Sequence, residues 1–267
     1  MDQVLYQKVK TKVQSLMGIN LDPYKDEQMR RRLDSWLARS GLLDWEQYFD
    51  KVLKSSIEME RFRDYLTINV TEFFRDPERW IYLRQHILPE LLNELKTQRK
   101  NNGEGLKIWS AGCSTGAEAS TLSIMLDELT PGINHNILAT DLDRGALAKA
   151  KGGGPYAAEE VRNVSPVQKS KYFKPGGPPF FVNPTLTNRI TFREQNLLMD
   201  SFSPNFDLIV CRNVVIYFTA ETKQYLYQKF HDALRIGGCL FVGGTEIIPK
   251  PQEFGYRSTG FSFYFRT

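Results

Sequence analysis

Apolar residues recur at helical spacing through the first hundred positions of the chain. Leu5, Val9, Val13 and Leu16 form one stripe, and Met29, Leu33, Trp36 and Leu37 form a second. Trp45, Tyr48, Phe49, Val52 and Leu53 give a third, and Met59, Phe62, Tyr65 and Leu66 a fourth. Gly41 is placed to stop the second helix and Asp44 to cap the third. After "NVTEFFRDPERW", Pro77 fits the first turn of a further helix, with Asp76 as its cap. Trp80, Leu83, Ile87, Leu91 and Leu95 share one side of that helix, and the polar run "KTQRKNNGEG" ends it.

From Leu106 the period changes. "LKIWSAG", "NILATD", "ITFREQ", "FDLIVCRN" and "GCLFVGGTE" are short apolar runs that read as strands. Helical stretches near 117–129, 143–151 and 220–235 separate several of them. Such alternation predicts right-handed crossovers and a largely parallel sheet. The final "YRSTGFSFYFRT" reads as antiparallel β structure at the sheet edge. One Gly/Pro-rich segment, 151–189, interrupts the alternation and is too long for an ordinary loop. Its "KYF" and "PFFV" runs predict a small antiparallel β insertion around a "PGGPP" turn. The expected organisation is a helical domain at 1–76, a linker helix and loop at 77–104, and an α/β domain at 105–267, with the insertion at about 152–192.

Composition narrows the function classes. The chain is 41% hydrophobic and 25% charged, as soluble globular proteins are. It has no apolar run long enough for a membrane helix, and its first residues lack the apolar core of a secretory signal. Cys113, Cys211 and Cys239 are odd in number and far apart, without zinc spacing, which fits a reducing cytoplasm. The three histidines are scattered, so no metal site is expected. A net charge of +4 is too small to argue for nucleic acid. Its distribution is uneven: residues 1–40 hold eight basic and five acidic side chains, and residues 41–76 hold five and eight.

In an open parallel sheet, ligands bind outside the carboxyl ends of the strands. Here the first strand leads through Gly112 to Gly116, with Glu118 two residues beyond, and the second ends in Asp141. The third is followed by Asn196 and Leu197, and the fourth ends in Arg212 and Asn213. "SAGCSTGAEAS" lacks both the three-glycine dinucleotide spacing and the lysine of a phosphate loop. A glycine turn admits a ligand close to the backbone, and an acid after the second strand suits ribose hydroxyls. Glu118 would repel phosphate but tolerate a cation or a second ribose contact. S-adenosylmethionine, a nucleoside with a sulfonium and no phosphate, meets these conditions. Taken singly, Asp141 would equally cap a helix and Asn213 would equally be a turn residue; their joint placement favours the ligand.

"TINVTEFFRD", "SAGCSTGAEAS", "ATDLD", "NLL" and "CRNVVIYF", in this order, resemble the successive motifs of the chemotaxis receptor methyltransferases, the CheR family. The resemblance covers nearly the whole chain. It implies a class I S-adenosylmethionine-dependent methyltransferase fold, Rossmann-like and mostly parallel. An all-helical N-terminal domain and a small antiparallel β subdomain would accompany it. It also implies methylation of glutamate γ-carboxylates on the cytoplasmic helices of transmembrane chemoreceptors, for adaptation. Cofactor contacts implied by the motifs are Asn69, Thr71, Arg75, Gly112, Glu118, Asp141, Asn196, Leu197, Arg212 and Asn213. Arg75 and Tyr217 would lie nearest the methyl transfer, although Arg75 would equally pair with Asp76 or Glu72 at a surface. Arg30, Arg31, Arg32 and Arg39 are the expected docking residues for acidic receptor helices, with Arg31, Arg32 and Arg39 turned away from the apolar stripe. The insertion's "KPGGPPFF" loop looks short for gripping a receptor C-terminal pentapeptide, so a pentapeptide-independent enzyme is expected. A cytoplasmic monomer without nucleic-acid or membrane-inserted partners completes the picture. Rival readings are a class I methyltransferase with another acceptor and an inactive cofactor-binding signalling module.

Overall fold

In the computed structural model, which describes residues 1–67, 71–98, 105–260 and 262–267, the chain divides into two units. One comprises Met1–Ile68 with Val215–Gln224, the other Asn69–Val214 with Tyr225–Thr267.

Each helix of the first unit starts or stops where local chemistry dictates. Asp2 accepts the Leu5 N–H and opens α1 (Gln3–Met17). Gly41 in the left-handed region ends α2 (Asp26–Ser40), and Asp44 accepts the Gln47 N–H at 2.9 Å to start α3 (Trp45–Lys54). α4 (Ser56–Thr67) follows. Their apolar faces meet in a core that includes Tyr6, Val13, Leu33, Trp45, Tyr48 and Phe62.

Two expected stripe positions are corrected: Leu5 and Leu53 are exposed, whereas Leu16 is half-buried and packs against this core. The packed face of α1 is Tyr6, Val9, Lys10, Val13 and Met17. Tyr6 and Lys10 bury their stems and satisfy their polar ends on the next helix and the loop before it. The Tyr6 hydroxyl donates to Asp26 at 3.1 Å, and Lys10 pairs with Asp22. Within the same unit, a short 3-10 turn, Val215–Tyr217, runs beside the α1–α2 loop. There Lys25 N–H donates to the Tyr217 carbonyl at 2.9 Å, and Thr219 N–H to the Pro23 carbonyl at 2.9 Å.

The second unit opens with α5 (Pro77–Tyr82), a π-helical turn (Leu83–Ile87) and α6 (Leu88–Gln98). Pro77 stands in the first turn as expected, but Asp76 makes no side-chain cap; it lies at φ 57°. Its carboxylate is drawn away to Arg212. The π turn directly precedes Leu88-Pro89, where the proline withholds a helix N–H.

Seven strands follow: β1 (Lys107–Ala111), β2 (Asn136–Asp141), β3 (Ile190–Glu194), β4 (Phe206–Cys211), β5 (Leu234–Val242), β6 (Tyr256–Ser258) and β7 (Phe263–Arg266). Their order is β3-β2-β1-β4-β5-β7-β6. The first five run parallel, with Ile108 beside both Ile137 and Leu208, while β7 and β6 are antiparallel at the edge. Strand order reverses between β1 and β4, which sets a ligand crevice at their carboxyl ends. α7 (Ala117–Leu129), α8 (Arg144–Gly152) and α11 (Ala220–Ala233) follow β1, β2 and β4. Ile108, Leu122, Met125, Leu208, Val210 and Phe241 belong to the main core. No helix among the described residues is long and apolar enough to cross a membrane.

The insertion differs from its expected form. Its antiparallel pairing is limited to isolated bridges, Tyr156 with Phe180 and Phe173 with Val182. α9 (Pro166–Tyr172) and α10 (Pro184–Thr187) take the remaining ordered turns. Pro178 and Pro179 lack the N–H groups a ladder needs, and the Ser165–Gln168 capping box favours a helix over a strand at "KYF".

Candidate functional site

The loop between β1 and α7 is shaped by its glycines. Gly112 has φ +81°, and an added Cβ would come within 2.5 Å of Val214 Cγ2. Gly116, at φ +85°, begins α7, and a Cβ there would meet Ala150 Cβ at 2.7 Å. Between them, Ser114 N–H donates to Asp141 Oδ2 at 2.7 Å, while Asp143 N–H donates to Oδ1 at 3.0 Å. Asp141 thus fastens the loop to the end of β2. Each of its oxygens has further lone-pair capacity, so a ribose diol can still be accepted. Burial raises the Asp141 pKa against these two N–H groups.

Glu118 lies in the first turn of α7 with its side chain 12% exposed. It accepts the Ser110 hydroxyl at 2.7 Å, and Arg212 Nη1 stands 3.9 Å from its Oε2. Burial pushes its pKa up to about 7, with Arg212 and the Ser110 hydrogen bond opposing. Arg212, at the end of β4, is buried against the rings of Trp80 and Phe241, 5.1 and 4.9 Å from their centroids. Its Nη2 donates to the Arg75 carbonyl at 2.8 Å and to Asp76 Oδ2 at 2.7 Å. Its Nε is buried and has no hydrogen-bond partner among the described residues.

Of the motif residues of the second unit, Arg75, Glu118 and Arg212 are brought together. Arg75 sits in the "TEFFRD" loop, held to the end of β4 through its carbonyl. Its charge lowers the Glu118 pKa. Thr71 is half-buried at the start of that loop. Asn196 forms a closed turn after β3: its N–H donates to Asp200 at 2.8 Å, and its Oδ1 accepts the Leu198 N–H at 3.0 Å. Leu197 is buried. Asn213 has φ 58°. Phe74 and Asp76, in the loop before α5, and Ser114, after β1, also adopt positive φ. Asn69 lies outside the described residues.

Tyr217 belongs to the first unit, anchored through its carbonyl to Lys25. The four arginines there divide. Arg31 and Arg39 are exposed, Arg31 pairing with Glu27 at 3.5 Å. Arg32, expected to face outward, is turned in: it donates to the Tyr65 carbonyl and stacks 4.5 Å from the Tyr65 ring. Arg30 lies over Tyr6 at 4.6 Å. Both have a buried Nε. Aromatic partners on other helices draw these cations inward, which stripe spacing alone does not register.

Three side chains that fix these strand ends escape the sequence reading. Asp76 anchors Arg212 rather than a helix. Lys229 donates to the Leu197 and Asp200 carbonyls at 2.9 and 2.8 Å, fixing the turn after β3. Glu246, 3% exposed, accepts the N–H groups of Asn213 at 2.8 Å and Gly243 at 2.5 Å. The strand-end rule, extended to "GGTE" after the fifth strand, would have found Glu246.

A glycine turn, a fastened acid on the second strand and a buried acid on the following helix fit a phosphate-free nucleoside carrying positive charge. Comparison with known proteins gives the same answer. Residues 5–67 match the family model described as CheR methyltransferase, all-alpha domain, and residues 69–260 that described as CheR methyltransferase, SAM binding domain. A chemotaxis protein methyltransferase of Listeria innocua is 36% identical over 94% of this chain and 93% of its own length. Chemotaxis protein methyltransferase 1 of Pseudomonas aeruginosa is 35% identical over 86% and 85%. The Salmonella typhimurium chemotaxis protein methyltransferase is 32% identical over 96% and 85%. With both family models matched in succession over most of its length, the chain belongs to the CheR methyltransferase family, whose second domain binds S-adenosylmethionine.

Proposed function

We propose that this enzyme methylates glutamate side chains on the cytoplasmic helices of chemoreceptors, giving glutamate 5-O-methyl esters. The supporting observation is the acid-lined glycine turn of the CheR domain, with Glu118 buried behind it and Arg75 held beside it. The cofactor, when bound, supplies a methyl group on a positively charged sulfur.

The chain's own residues then have separate tasks. Asp141 and the turn headed by Asn196 hold the nucleoside, and Glu118 receives positive charge. Thr71 and Asn69 are assigned to the cofactor on their motif alone. A glutamate carboxylate ordinarily titrates near pH 4.3 and is ionised at neutral pH, so no general base is required. The task is to align a carboxylate oxygen with the methyl–sulfur axis and exclude water, and positioning of this kind is worth about 7–11 kcal/mol. Arg75 orients the incoming carboxylate. Too firm a grip on the ground state would not raise the rate. Tyr217 is the second candidate at the acceptor side, on its motif alone. Arg31 and Arg39, exposed on α2, are the cations offered to acidic receptor helices.

Incubation with radiolabelled S-adenosylmethionine and receptor-containing membranes tests the assignment. Base-labile label released as methanol supports carboxyl methyl esters; base-stable label, or none, overturns it. The insertion loop is proposed not to need a receptor C-terminal pentapeptide. Micromolar binding of such a pentapeptide in calorimetry would contradict that.

A further inference from the structure

Among the buried ionisable groups of the second unit, Glu246 has no part in the reaction described above, yet it touches the backbone of the site. The turn after β5 folds back on itself: Glu246 N–H donates to the Gly243 carbonyl at 2.9 Å. This returns the carboxylate over its own strand end. One oxygen, Oε2, then accepts two backbone N–H groups, from Gly243 at 2.5 Å and from Asn213 at 2.8 Å. The ends of β5 and β4 are thereby tied through a single atom.

Two further features show that the fork is built in. An added Cβ on Gly243 would press on the Glu246 carboxylate and approach the Asn213 nitrogen at 3.0 Å, so only glycine leaves room for it. Asn213 stands at φ 58°, in the left-handed region that asparagine enters more readily than most non-glycine residues. The carboxylate bonded to its N–H holds it there, and charge-assisted hydrogen bonds are the stronger kind.

We propose that Glu246 is a positioning residue of the cofactor site. Its buried carboxylate fixes the backbone direction in which the end of β4 presents Asn213 to the ligand. This rests on the family's cofactor binding and on Asn213 lying against the cofactor. The charge of Glu246 reaches the same centre: it opposes ionisation of Glu118, Cys211 and Tyr227 and favours the cationic form of Arg212. Arg75, with Arg212, acts on Glu118 in the opposite sense. A staple serving stability alone would leave the pH dependence of ligand binding untouched, whereas a Glu246 charge acting on Glu118 is expected to move it.

Calorimetric titration of S-adenosylmethionine between about pH 5.5 and 8.5 separates the two, with thermal midpoints recorded alongside. Glu246→Ala is expected to bind about tenfold more weakly across that range. Glu246→Gln keeps an acceptor oxygen, so affinity is largely rescued, but its pH midpoint moves down as the charge near Glu118 disappears. Wild-type affinity and wild-type pH midpoint in both variants would overturn the proposal, whatever their thermal midpoints. If Glu246→Ala does not fold, an unchanged pH midpoint in Glu246→Gln overturns it alone. Absence of binding by the wild-type protein would instead strike the cofactor reading itself.

Discussion

Arg212 donates to Asp76 at 2.7 Å across 136 positions of sequence, joining the end of β4 to the loop that carries Arg75. The partners are unequal: the Arg212 side chain is 2% exposed and that of Asp76 is 49% exposed. Removing the carboxylate therefore leaves a buried guanidinium with Glu118 at 3.9 Å as its other acid. Breaking a buried pair from one side costs more than replacing both partners by apolar groups.

Asp76→Ala should accordingly destabilise the protein by about 1–2 kcal/mol, discounted for the exposure of Asp76. Arg212→Met removes the cation beside buried Glu118 and the donor to the Arg75 carbonyl, so it should cost more stability than Asp76→Ala and also weaken cofactor binding more, because it releases the Arg75 loop. Urea denaturation and cofactor titration of both variants check this. An Asp76→Ala protein as stable as wild type would refute the anchoring role.

The strand ends are legible because period and polarity change together there: "NILATD" and "FDLIVCRN" end in the residues that the sheet brings to its switch point. Gly41 and Asp44 behave as their types require, since caps are decided within one turn. Asp76 departs from its expected role for a reason outside that range: a partner 136 residues away outcompetes the local helix end. The Tyr6–Lys10 face is hidden because residues with polar tips carry apolar stems. In the insertion, β-rich composition at "KYF" loses to a capping box set by Ser165 and Gln168.

Glycine at the β1–α7 turn is required twice over, by conformation and by space. Gly112→Ala should destabilise by about 2–3 kcal/mol, through positive φ and through the approach of the Cβ to Val214. Gly132 has φ +85° with open space around it, so Gly132→Ala should lose only about 1 kcal/mol. Thermal melts give both values. Equal losses would mean that the close approach at Gly112 contributes nothing.

The arginines of α2 should separate by role. Arg32→Ala removes a hydrogen bond and a ring contact to Tyr65 and should cost about 1–2 kcal/mol of stability. The Arg31→Ala/Arg39→Ala double variant should melt as wild type while methylating receptor more slowly at subsaturating receptor, with cofactor affinity unaltered. Unchanged methylation in that double variant would remove α2 from the docking surface.

Glu118 makes the site sensitive to pH near neutrality. Burial raises its pKa from an ordinary 4.5 to about 7, so the folded protein binds this proton more tightly than the unfolded chain. The stability contribution of the protonated form is complete below about pH 4.5 and is lost as pH climbs through about 7. Glu118→Gln should abolish that slope. A cationic ligand beside Glu118 reverses the preference, favouring the carboxylate. S-adenosylmethionine binding should therefore strengthen from about pH 6 to about pH 8 and release a proton on binding near about pH 6.5. Calorimetry in buffers of differing ionisation enthalpy counts that proton. In Glu118→Gln the affinity should fall about tenfold at about pH 8 and be flat with pH. A wild-type affinity that is itself flat over this range would return Glu118 to a purely structural role beneath α7.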